Sequence, residues 1–457
     1  MLLVAALPAC RSLQFEGPSD SATIRTPASW QSASTGNEGR ISTGWLSDFN
    51  DPGLDRAVDQ ALARNQDLAA AAARMREAEY NRLAGRSRLL PGIDLGSNGS
   101  FSLSENGPAP ASESERYGLS VSASWELDLW RRLCDLTLAD EADAAAAQAT
   151  YRGARLSIAA ATARAWCNLI AAEQQLTLAR ETLDSFEANL RISERIYKGT
   201  GQGALDVQFG RTNVAAARRA LESSRLQRDE AARTLELLTG RYPSGTSSAG
   251  GTLPELRRRV PAGLPSELVE RRPDLVVARA QVFASAKRAD AARKALLPSL
   301  RLTAGAGTPV DAFRELLDPQ WLTASIAASV AQTLYAGGAL TNQARAALER
   351  NRAAVHTFTQ VALEAFREVE AALAADASLV EQERFLMEEL KQSELAEKQS
   401  TRDYADGVEG ADILDVLEAQ RRGTNARASM IRLKTQRLLN RIDLHLALGG
   451  DFKTRDY

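Results

Sequence analysis

Strict alternation of apolar and polar residues marks two neighbouring stretches of the chain. In residues 117–129 every second side chain is apolar, and Gly, Ser, Glu and Asp occupy the positions between them. Residues 93–103 alternate in the same way, and a loop rich in Gly, Pro and Ser separates the two stretches. Residues 300–307 and 322–331 repeat the arrangement farther along the chain. A period of two predicts strands with one apolar and one polar face, so we expect four strands in two hairpins.

The segments that follow the hairpins predict helices of unusual length. Between Cys134 and Ile196 the only helix breaker is Gly153, and between Ala339 and Tyr404 there is neither proline nor glycine. Each helix would be roughly 90–95 Å long. Small and apolar residues recur at alternating spacings of three and four, at Val355, Phe358, Ala362, Ala365, Val369 and Ala372. This spacing is typical of a coiled-coil seam, so we expect long helices packed side by side.

Each long helix ends in a glycine-rich turn, and the chain then returns as a shorter helix. The return helices are predicted over 205–238 and 412–448. Further helices, at approximately 52–89 and 266–296, precede the two hairpins. The order helix, hairpin and helical pair therefore occurs twice.

Short motifs recur in the same order and at a nearly constant offset, which indicates a duplicated unit. Leu89-Leu90-Pro91 recurs as Leu296-Leu297-Pro298, and Asp206-Val207 recurs as Asp415-Val416. The predicted domains are a signal segment (1–10), a tether (11–40), a first repeat (41–240, with a hairpin at 92–130 and a helical pair at 131–240), an equatorial linker (241–265), a second repeat (266–450, with a hairpin at 299–335 and a helical pair at 337–450) and a tail (451–457).

The predicted strands leave two architectures open. Strands of about ten residues are long enough to cross a bilayer when they are tilted. Four strands cannot close a barrel, and an open sheet edge is not tolerated in lipid. Either the hairpins rest on a soluble core, or several chains each contribute four strands to one barrel. The serine-rich second face favours a shared barrel with a wet interior, in which Leu119, Val121 and Leu127 face lipid and Ser120, Ser122 and Ser124 face water.

Composition and charge exclude several classes of function. The formal net charge is −2 with 25% charged residues of both signs, so the chain lacks the excess of basic residues that is typical of nucleic-acid-binding proteins. A mean hydropathy of −0.28 and the absence of a long apolar run argue against a transmembrane helix. Cys134 and Cys167 would lie roughly 50 Å apart on one helix, too far for a disulfide. No catalytic constellation, phosphate loop or metal-ligand spacing occurs, so we expect neither an enzyme nor a cofactor.

The first ten residues predict a lipid anchor. An apolar run ending in Leu7-Pro8-Ala9-Cys10 resembles a bacterial lipoprotein signal, with Cys10 as the lipidated residue. The segment departs from that pattern because no Lys or Arg precedes the apolar run. The alternative is an ordinary apolar N-terminus with a small buried thiol. Residues 11–40 are rich in Ser, Thr, Gly and Pro without a period, as expected of a tether.

An ordered set of motifs resembles the outer-membrane efflux proteins of the TolC/NodT type over residues 41–450. The motifs are the block from Trp45 through Asp51-Pro52 to Asp67-Leu68, Trp125-Glu126-Leu127-Asp128-Leu129-Trp130, Glu270-Arg271-Arg272-Pro273-Asp274-Leu275, Leu334-Tyr335-Ala336-Gly337-Gly338, and Asp415-Val416-Leu417-Glu418-Ala419-Gln420-Arg421. Arg131-Arg132 departs from the Gly-Arg that many relatives carry after the second strand, and the second helical turn is longer than the first.

The resemblance implies a homotrimer whose strands form one barrel in the outer membrane of a Gram-negative bacterium. The helices would form a coiled-coil α-barrel in the periplasm. This barrel would dock a periplasmic adaptor (membrane fusion) protein and an inner-membrane transporter, expected to be of the RND type. The implied function is a passive duct that exports small molecules from the transporter to the outside.

A candidate gate lies at the turns between the helices. It comprises Tyr404, Asp412, Asp415 and Glu418 near the second turn and Asp206 from the first. In a trimer each carboxylate would form a ring that attracts cations, and mutual repulsion would raise the pKa values. The alternative is that Asp412 is a helix N-cap and Asp415 its first-turn companion. We expect Arg271 and Arg272 to have a structural role instead, paired with carboxylates of the linker.

A different class of function remains open from the sequence alone. A structural or adhesive lipoprotein could also span the periplasm with a coiled coil and keep its hairpins out of lipid. Conductance in planar bilayers distinguishes the two, because only the duct conducts ions. The identity of the exported molecule is not encoded in any motif of the chain.

Overall fold

The computed structural model of the chain describes residues 29–32, 44–104, 112–201, 203–256, 260, 268, 270–406, 408–410 and 412–451. Cys10, the signal segment, most of the tether and nearly all of the tail lie outside the described residues. The helices are α1 (Pro52–Arg64), α2 (Gln66–Ser87), α3 (Arg132–Thr200), α4 (Ala204–Leu238), α5 (Pro273–Lys294), α6 (Ala339–Ala405) and α7 (Ile413–Ala447). The strands are β1 (Gly92–Ser104), β2 (Ser112–Leu127), β3 (Ser299–Val310) and β4 (Thr323–Ala331).

The chain divides into two compact units. In the first, the described residues fall within Ala73–Ala149 and Val276–Gln360 and include the whole sheet. In the second, they fall within Arg25–Ala72, Thr150–Leu275 and Val361–Tyr457 and include both helical turns. Of the helices in the described part of the chain, none has both the length and the apolar character needed to cross a membrane.

The four strands form a single antiparallel sheet in the order β1-β2-β3-β4. Pairing of β2 with β3 joins the two predicted hairpins, and among the described residues β1 and β4 each pair on one side only. The register aligns like residues across the strands. One row reads Leu95, Val121, Ala306 and Ala324, and the next reads Asp94, Ser122, Gly305 and Ser325. The sheet therefore has one apolar and one polar face, as the alternation predicts.

The helix predicted over residues 52–89 is divided in two at Asn65, which the sequence prediction missed. Asn65 has an extended backbone with ψ 127°. Its side chain accepts a hydrogen bond from the Leu68 backbone N–H at 3.0 Å and donates one to the Leu238 carbonyl at 3.1 Å. Asn65 thus caps the start of α2 and fixes the end of α4.

The helix predicted over 266–296 is also interrupted. Glu270 and Arg271 are helical, Arg272 is not, and α5 begins at Pro273. Proline lacks a backbone N–H and disfavours helical geometry in the residue before it. Pro273 therefore ends one helical segment and occupies the first turn of the next, where the missing N–H costs nothing.

The second unit contains a core in which the N-terminal block packs on alanine faces of α3 and on α7. Its buried members include Trp45, Phe49, Leu54, Val58, Ala159, Ala163, Leu438 and Ile442. Asp51 caps α1 through the Gly53 N–H at 2.8 Å and accepts a hydrogen bond from Trp166 Nε1 at 2.7 Å. A Cβ atom on Gly53 would lie 2.6 Å from the Trp166 ring, so glycine is required for this close approach.

The predicted linker, described over residues 241–256, is tied to the helices by buried charge. Glu236 at the end of α4 is 1% exposed and accepts hydrogen bonds from the N–H groups of Gly245 (2.7 Å), Thr246 (3.1 Å) and Ser247 (2.9 Å). Burial alone would raise the pKa of Glu236, but hydrogen bonds from Gly245, Ser247 and Ser244 outweigh it and lower the pKa to about 2. The linker is therefore held by an ionised carboxylate.

We expect Glu236→Gln to destabilise the protein by about 1–3 kcal/mol at pH 7, because the amide cannot replace an anionic acceptor of several N–H groups. The folded pKa lies below that of the unfolded chain, so the carboxylate's stabilisation is present above about pH 4.5 and is lost as the pH falls toward 2. Thermal unfolding of the detergent-solubilised protein should show a gap between wild type and variant that narrows between pH 5 and pH 3.

The matched control is Glu230→Gln on the same helix, where an exposed carboxylate pairs with Arg233 at 3.3 Å. This change should cost less than about 1 kcal/mol. A Glu236→Gln protein as stable as wild type at pH 7, or a gap that persists unchanged in acid, would contradict the assignment.

Candidate functional site at the helical turns

The first turn reverses the chain over very few residues. Helix α3 ends at Thr200 and α4 begins at Ala204. Gly201 and Gly203 have φ values of 72° and 85°, in the left-handed region that side chains rarely adopt. Gly203 has no capping side chain, and its carbonyl accepts the Val207 N–H at 3.2 Å. The two glycines therefore permit the reversal, which sets Asp206 in the first turn of α4.

The second turn joins α6 to α7. Gly410 has φ 87°, and the Val408 N–H donates to the Asp403 carbonyl at 3.0 Å. Asp412 is the N-cap of α7, because its Oδ1 atom accepts the Leu414 N–H at 3.2 Å. The capping alternative for Asp412 is thus confirmed, and Asp415 lies in the first turn of the same helix.

The fold brings the two turns together through Asp206 and Asp412. Partial burial raises the pKa of Asp206, and the negative charge of Asp412 raises it further. This repulsion acts within one chain, and the repulsion expected between copies of a trimer stays a prediction. Asp415 is exposed and, among the described residues, makes no ion pair. Tyr404 lies half-buried in the last turn of α6.

Glu418 departs from the expectation of a raised pKa. Hydrogen bonds from Arg421 (2.8 Å) and Arg422 (2.7 Å), together with their positive charges, lower the pKa of Glu418 to about 2. Arg421 lies three residues and Arg422 four residues after Glu418 on α7, and side chains at these spacings share a helix face. Their charges oppose that of Glu418, so its contribution to a negative field is smaller than the sequence analysis assumed.

Exposed apolar side chains at the turns were missed by the sequence analysis. Leu205 is 63% exposed, and Leu414, which holds the corresponding place in the second repeat, is 51% exposed. Val207 and Val416, two residues farther on in each repeat, are buried. Tyr197, Phe209 and Val408 are also exposed. The repeated Leu-Asp-Val order could have predicted this exposure. On a helix, residues two positions apart point in different directions, so a leucine is turned toward solvent when the valine two residues later is buried.

The string Glu270–Leu275 joins elements of the second unit through Arg272, which is 9% exposed. Arg272 forms ion pairs with Asp274 at 2.6 Å and with Glu368 of α6 at 2.8 Å, and it donates to the Ala447 carbonyl at 3.1 Å. The structural role is confirmed, but the expected pairing of Arg272 with linker carboxylates is wrong. Gly449, just after α7, has φ 66°, and a Cβ atom there would lie 3.1 Å from the Arg272 backbone nitrogen, so both its conformation and its surroundings favour glycine.

In the described part of the chain, the residue types that bind metals or carry thiol chemistry do not form a functional site. Within the described ranges, no group of three or more His, Cys, Asp or Glu side chains could hold a metal ion. Cys134 and Cys167 are both free and buried. Burial raises the pKa of Cys167 to about 12, so this thiol is unreactive at neutral pH.

The sequence profile of one family, described as outer membrane efflux protein, matches the chain twice, over residues 57–241 and 264–450. The chain belongs to this family. It is 28% identical over 440 residues to the pyoverdine export outer membrane protein OpmQ of Pseudomonas putida, with 94% of this chain and 93% of that protein covered. It is 30% identical over 431 residues to outer membrane protein OprJ of Pseudomonas aeruginosa, with 92% and 89% covered.

The fold agrees with that of a solved family channel. The crystal structure of the open state of the Neisseria gonorrhoeae MtrE outer membrane channel superposes with a TM-score of 0.85 at 26% identity, covering 96% of this chain and 98% of that one. These comparisons confirm the predicted family, the mainly helical duplicated fold and the function of an outer-membrane efflux channel. The five gate residues stay a prediction.

Proposed function

We propose that the chain acts as a homotrimer in which each copy contributes four strands to one barrel. The duct would receive small molecules from an inner-membrane transporter, of the RND type, through a periplasmic adaptor protein. It would export them passively, because selection and energy come from the transporter. The sheet is the observation that carries this proposal.

One chain leaves the sheet unsatisfied in two ways. The apolar face is exposed, with Ile93 and Leu95 at 73%, Val330 at 72% and Ile326 at 88%. Among the described residues, β1 and β4 also leave one backbone edge unpaired. Lipid would cover the apolar face, and neighbouring copies would pair with the edges, which a membrane requires of every strand. Hairpins resting on a soluble core would bury this face instead, so the observation disfavours the structural or adhesive alternative.

Reconstitution tests the proposal directly. The full chain, purified in detergent, should have the mass of a trimer and should form ion-conducting channels in planar bilayers. It should also be retained by an immobilised periplasmic adaptor, with the exposed leucines of the turns as the contact. A monomeric protein that binds membranes without conductance would overturn the proposal in favour of a structural lipoprotein.

We further propose that the five residues at the turns form the periplasmic gate. Asp206 and Asp415 are best suited to test the ring of charge, because neither is the N-cap of its helix and, in the described part of the turns, neither pairs with an arginine. Asp206→Asn/Asp415→Asn should reduce the preference for cations several-fold, since three copies lose their axial charge, and lower the open probability, since the like charges no longer repel one another across the aperture. Single-channel recording under a salt gradient measures both quantities.

The control for the gate is Glu222→Gln, which removes an exposed carboxylate paired with Arg225 farther along α4. Its selectivity should match that of wild type. Asp412→Asn allows the effect of charge to be compared with the effect of capping, because asparagine keeps the N-cap hydrogen bond but removes the negative charge. If the double variant keeps the wild-type selectivity and open probability, these carboxylates only stabilise the helix starts.

Lipidation at Cys10 is proposed from the Leu-Pro-Ala-Cys string and the tether that follows it. Cys10→Ser should lose incorporation of radiolabelled palmitate and remain unprocessed in cells, while Cys134→Ser, at a buried thiol, should keep the label. Unchanged labelling of Cys10→Ser would show that the string is an ordinary apolar segment.

A further inference from the structure

A small cavity in the second unit serves neither the sheet nor the turns. Its volume is about 250 Å³, and it lies between the start of α1, the middle of α3, the end of α4 and the linker. Its walls include Arg56, Gln60, Trp166, Arg241, Thr246 and Ser248. The volume is below the range of roughly 300–1,000 Å³ typical of drug-sized ligands. Any ligand it holds must therefore be small.

The cavity opens to solvent, and the exposed charged side chains at its rim are cationic. Arg56 and Arg241 both line it, and among the described residues no carboxylate-bearing side chain does. Arg56 Nε donates to the Pro52 carbonyl at 3.1 Å, and Arg241 Nη1 donates to Ser247 Oγ at 3.4 Å. Within the described part of the chain, neither guanidinium has an ion-pair partner. Most of their N–H groups therefore remain available to a ligand.

Two carboxylates of the elements that line the cavity, Asp51 and Glu236, are already engaged. Asp51 accepts the N–H groups of Gly53 and Leu54 and the indole N–H of Trp166. Glu236 accepts the N–H groups of linker residues 245–247. Neither carboxylate lines the cavity. Asp55 and Asp59 neighbour Arg56 along α1, but they do not line the cavity either.

We infer that this cavity is a binding site for a small dianion, a phosphate or a short dicarboxylate. The guanidinium groups of Arg56 and Arg241 would each pair with one negative charge, because the planar fork of arginine matches carboxylate and phosphate oxygens. The Gln60 amide and the Ser248 hydroxyl supply further donors. The Trp166 ring forms one wall, next to Gly53, where only glycine fits.

Such a ligand would link two parts of the chain that are far apart in sequence. Arg56 belongs to α1, and Arg241 begins the linker between the repeats. A dianion bound to both would neutralise them together and fix the linker on α1. Binding should therefore raise the thermal stability of the protein, and the stabilisation should grow with the logarithm of ligand concentration once that concentration exceeds the dissociation constant.

The inference is tested with the full chain purified in detergent and free of phosphate. Sodium phosphate, succinate and acetate are titrated at constant ionic strength, and binding is followed by calorimetry and tryptophan fluorescence. We expect one saturable site per chain for the dianions and binding about tenfold weaker for acetate. Stronger binding of phosphate than of succinate, or the reverse, identifies which dianion the site prefers.

Variants separate the site from general charge attraction. Arg56→Gln and Arg241→Gln should each raise the dissociation constant about tenfold, as expected for losing a hydrogen bond to a charged group. Gln60→Glu, at an exposed helix position, should abolish binding by adding a negative charge to the wall. Arg225→Gln is the matched control, because this exposed arginine of α4 pairs with Glu222 outside the cavity.

Two results would overturn the inference. One is the absence of saturable binding up to about 10 mM, a concentration that would detect even a weak site. The other is binding that Arg56→Gln, Arg241→Gln and Gln60→Glu all retain. Neither result bears on the duct itself, because conductance in bilayers is measured independently of the cavity.

Discussion

Arg272→Ala is expected to lower the free energy of unfolding by about 2–4 kcal/mol. The guanidinium is 9% exposed and satisfies the carboxylates of Asp274 and Glu368 and the carbonyl of Ala447 at once. Asp274 and Glu368 are partly exposed, so water can solvate them after the change. The larger loss comes from the buried Ala447 carbonyl and from the packing of the arginine stem.

The effect can be measured by chemical and thermal unfolding of the detergent-solubilised protein. Arg225→Ala is the matched control, since its exposed pair with Glu222 should contribute less than about 1 kcal/mol. Arg272→Lys should restore only part of the stability, because an ammonium group keeps the charge without the planar fork. If alanine and wild type unfold alike, Arg272 does not join α5 to α6 and α7 as the contacts indicate.

The strands were the most predictable part of the fold, because their signal is local. Alternation in residues 93–103 and 117–129 predicts β1 and β2 to within a few residues. The sequence does not show that β2 pairs with β3, because that pairing joins segments separated by α3, α4, the linker and α5. The register then follows from the alternation, since a shift by one residue would place serines opposite leucines.

The break at Asn65 was harder to predict because it depends on a tertiary partner, whereas the break before Pro273 follows from the proline itself. Asn65 sits in a helix-favouring context, and it ends α1 because its side chain reaches the Leu238 carbonyl. Glu236 likewise gives no local sign that it will collect N–H groups from the linker. By contrast, the partners of Glu418 could have been predicted, because Arg421 and Arg422 follow at helical spacing.

The candidate gate likewise has local features that the sequence predicts and tertiary features that it does not. Capping by Asp412 follows from a local rule, and the structure confirms it. The approach of Asp206 to Asp412 depends on two turns separated by the whole length of one repeat. The duplication predicts only that Asp206 and Asp415 hold corresponding places. Which carboxylates come closest to each other is set by the packing of the four helices.

Val121→Arg should prevent assembly in the membrane, whereas Ser122→Arg should be tolerated. Val121 lies at the centre of the alternating stretch of β2, in a row with Leu95, Ala306 and Ala324. If this face contacts lipid, an arginine near the bilayer midplane costs roughly 2–4 kcal/mol in each copy. A trimer incurs this cost three times, which is comparable with the whole stability of a typical domain.

Ser122 is the matched control because it differs by one residue and by the face of the sheet. Its row contains Asp94, Gly305 and Ser325, so an arginine there finds an acidic neighbour on β1 and a wet surface. The yield of trimer in the outer-membrane fraction and the denaturant resistance of refolded protein in lipid vesicles measure both variants. The reverse outcome, with Val121→Arg assembling and Ser122→Arg failing, would place the serine row against lipid. Equal assembly of both variants would instead favour hairpins that stay out of the membrane, since only a lipid environment distinguishes the two faces so strongly.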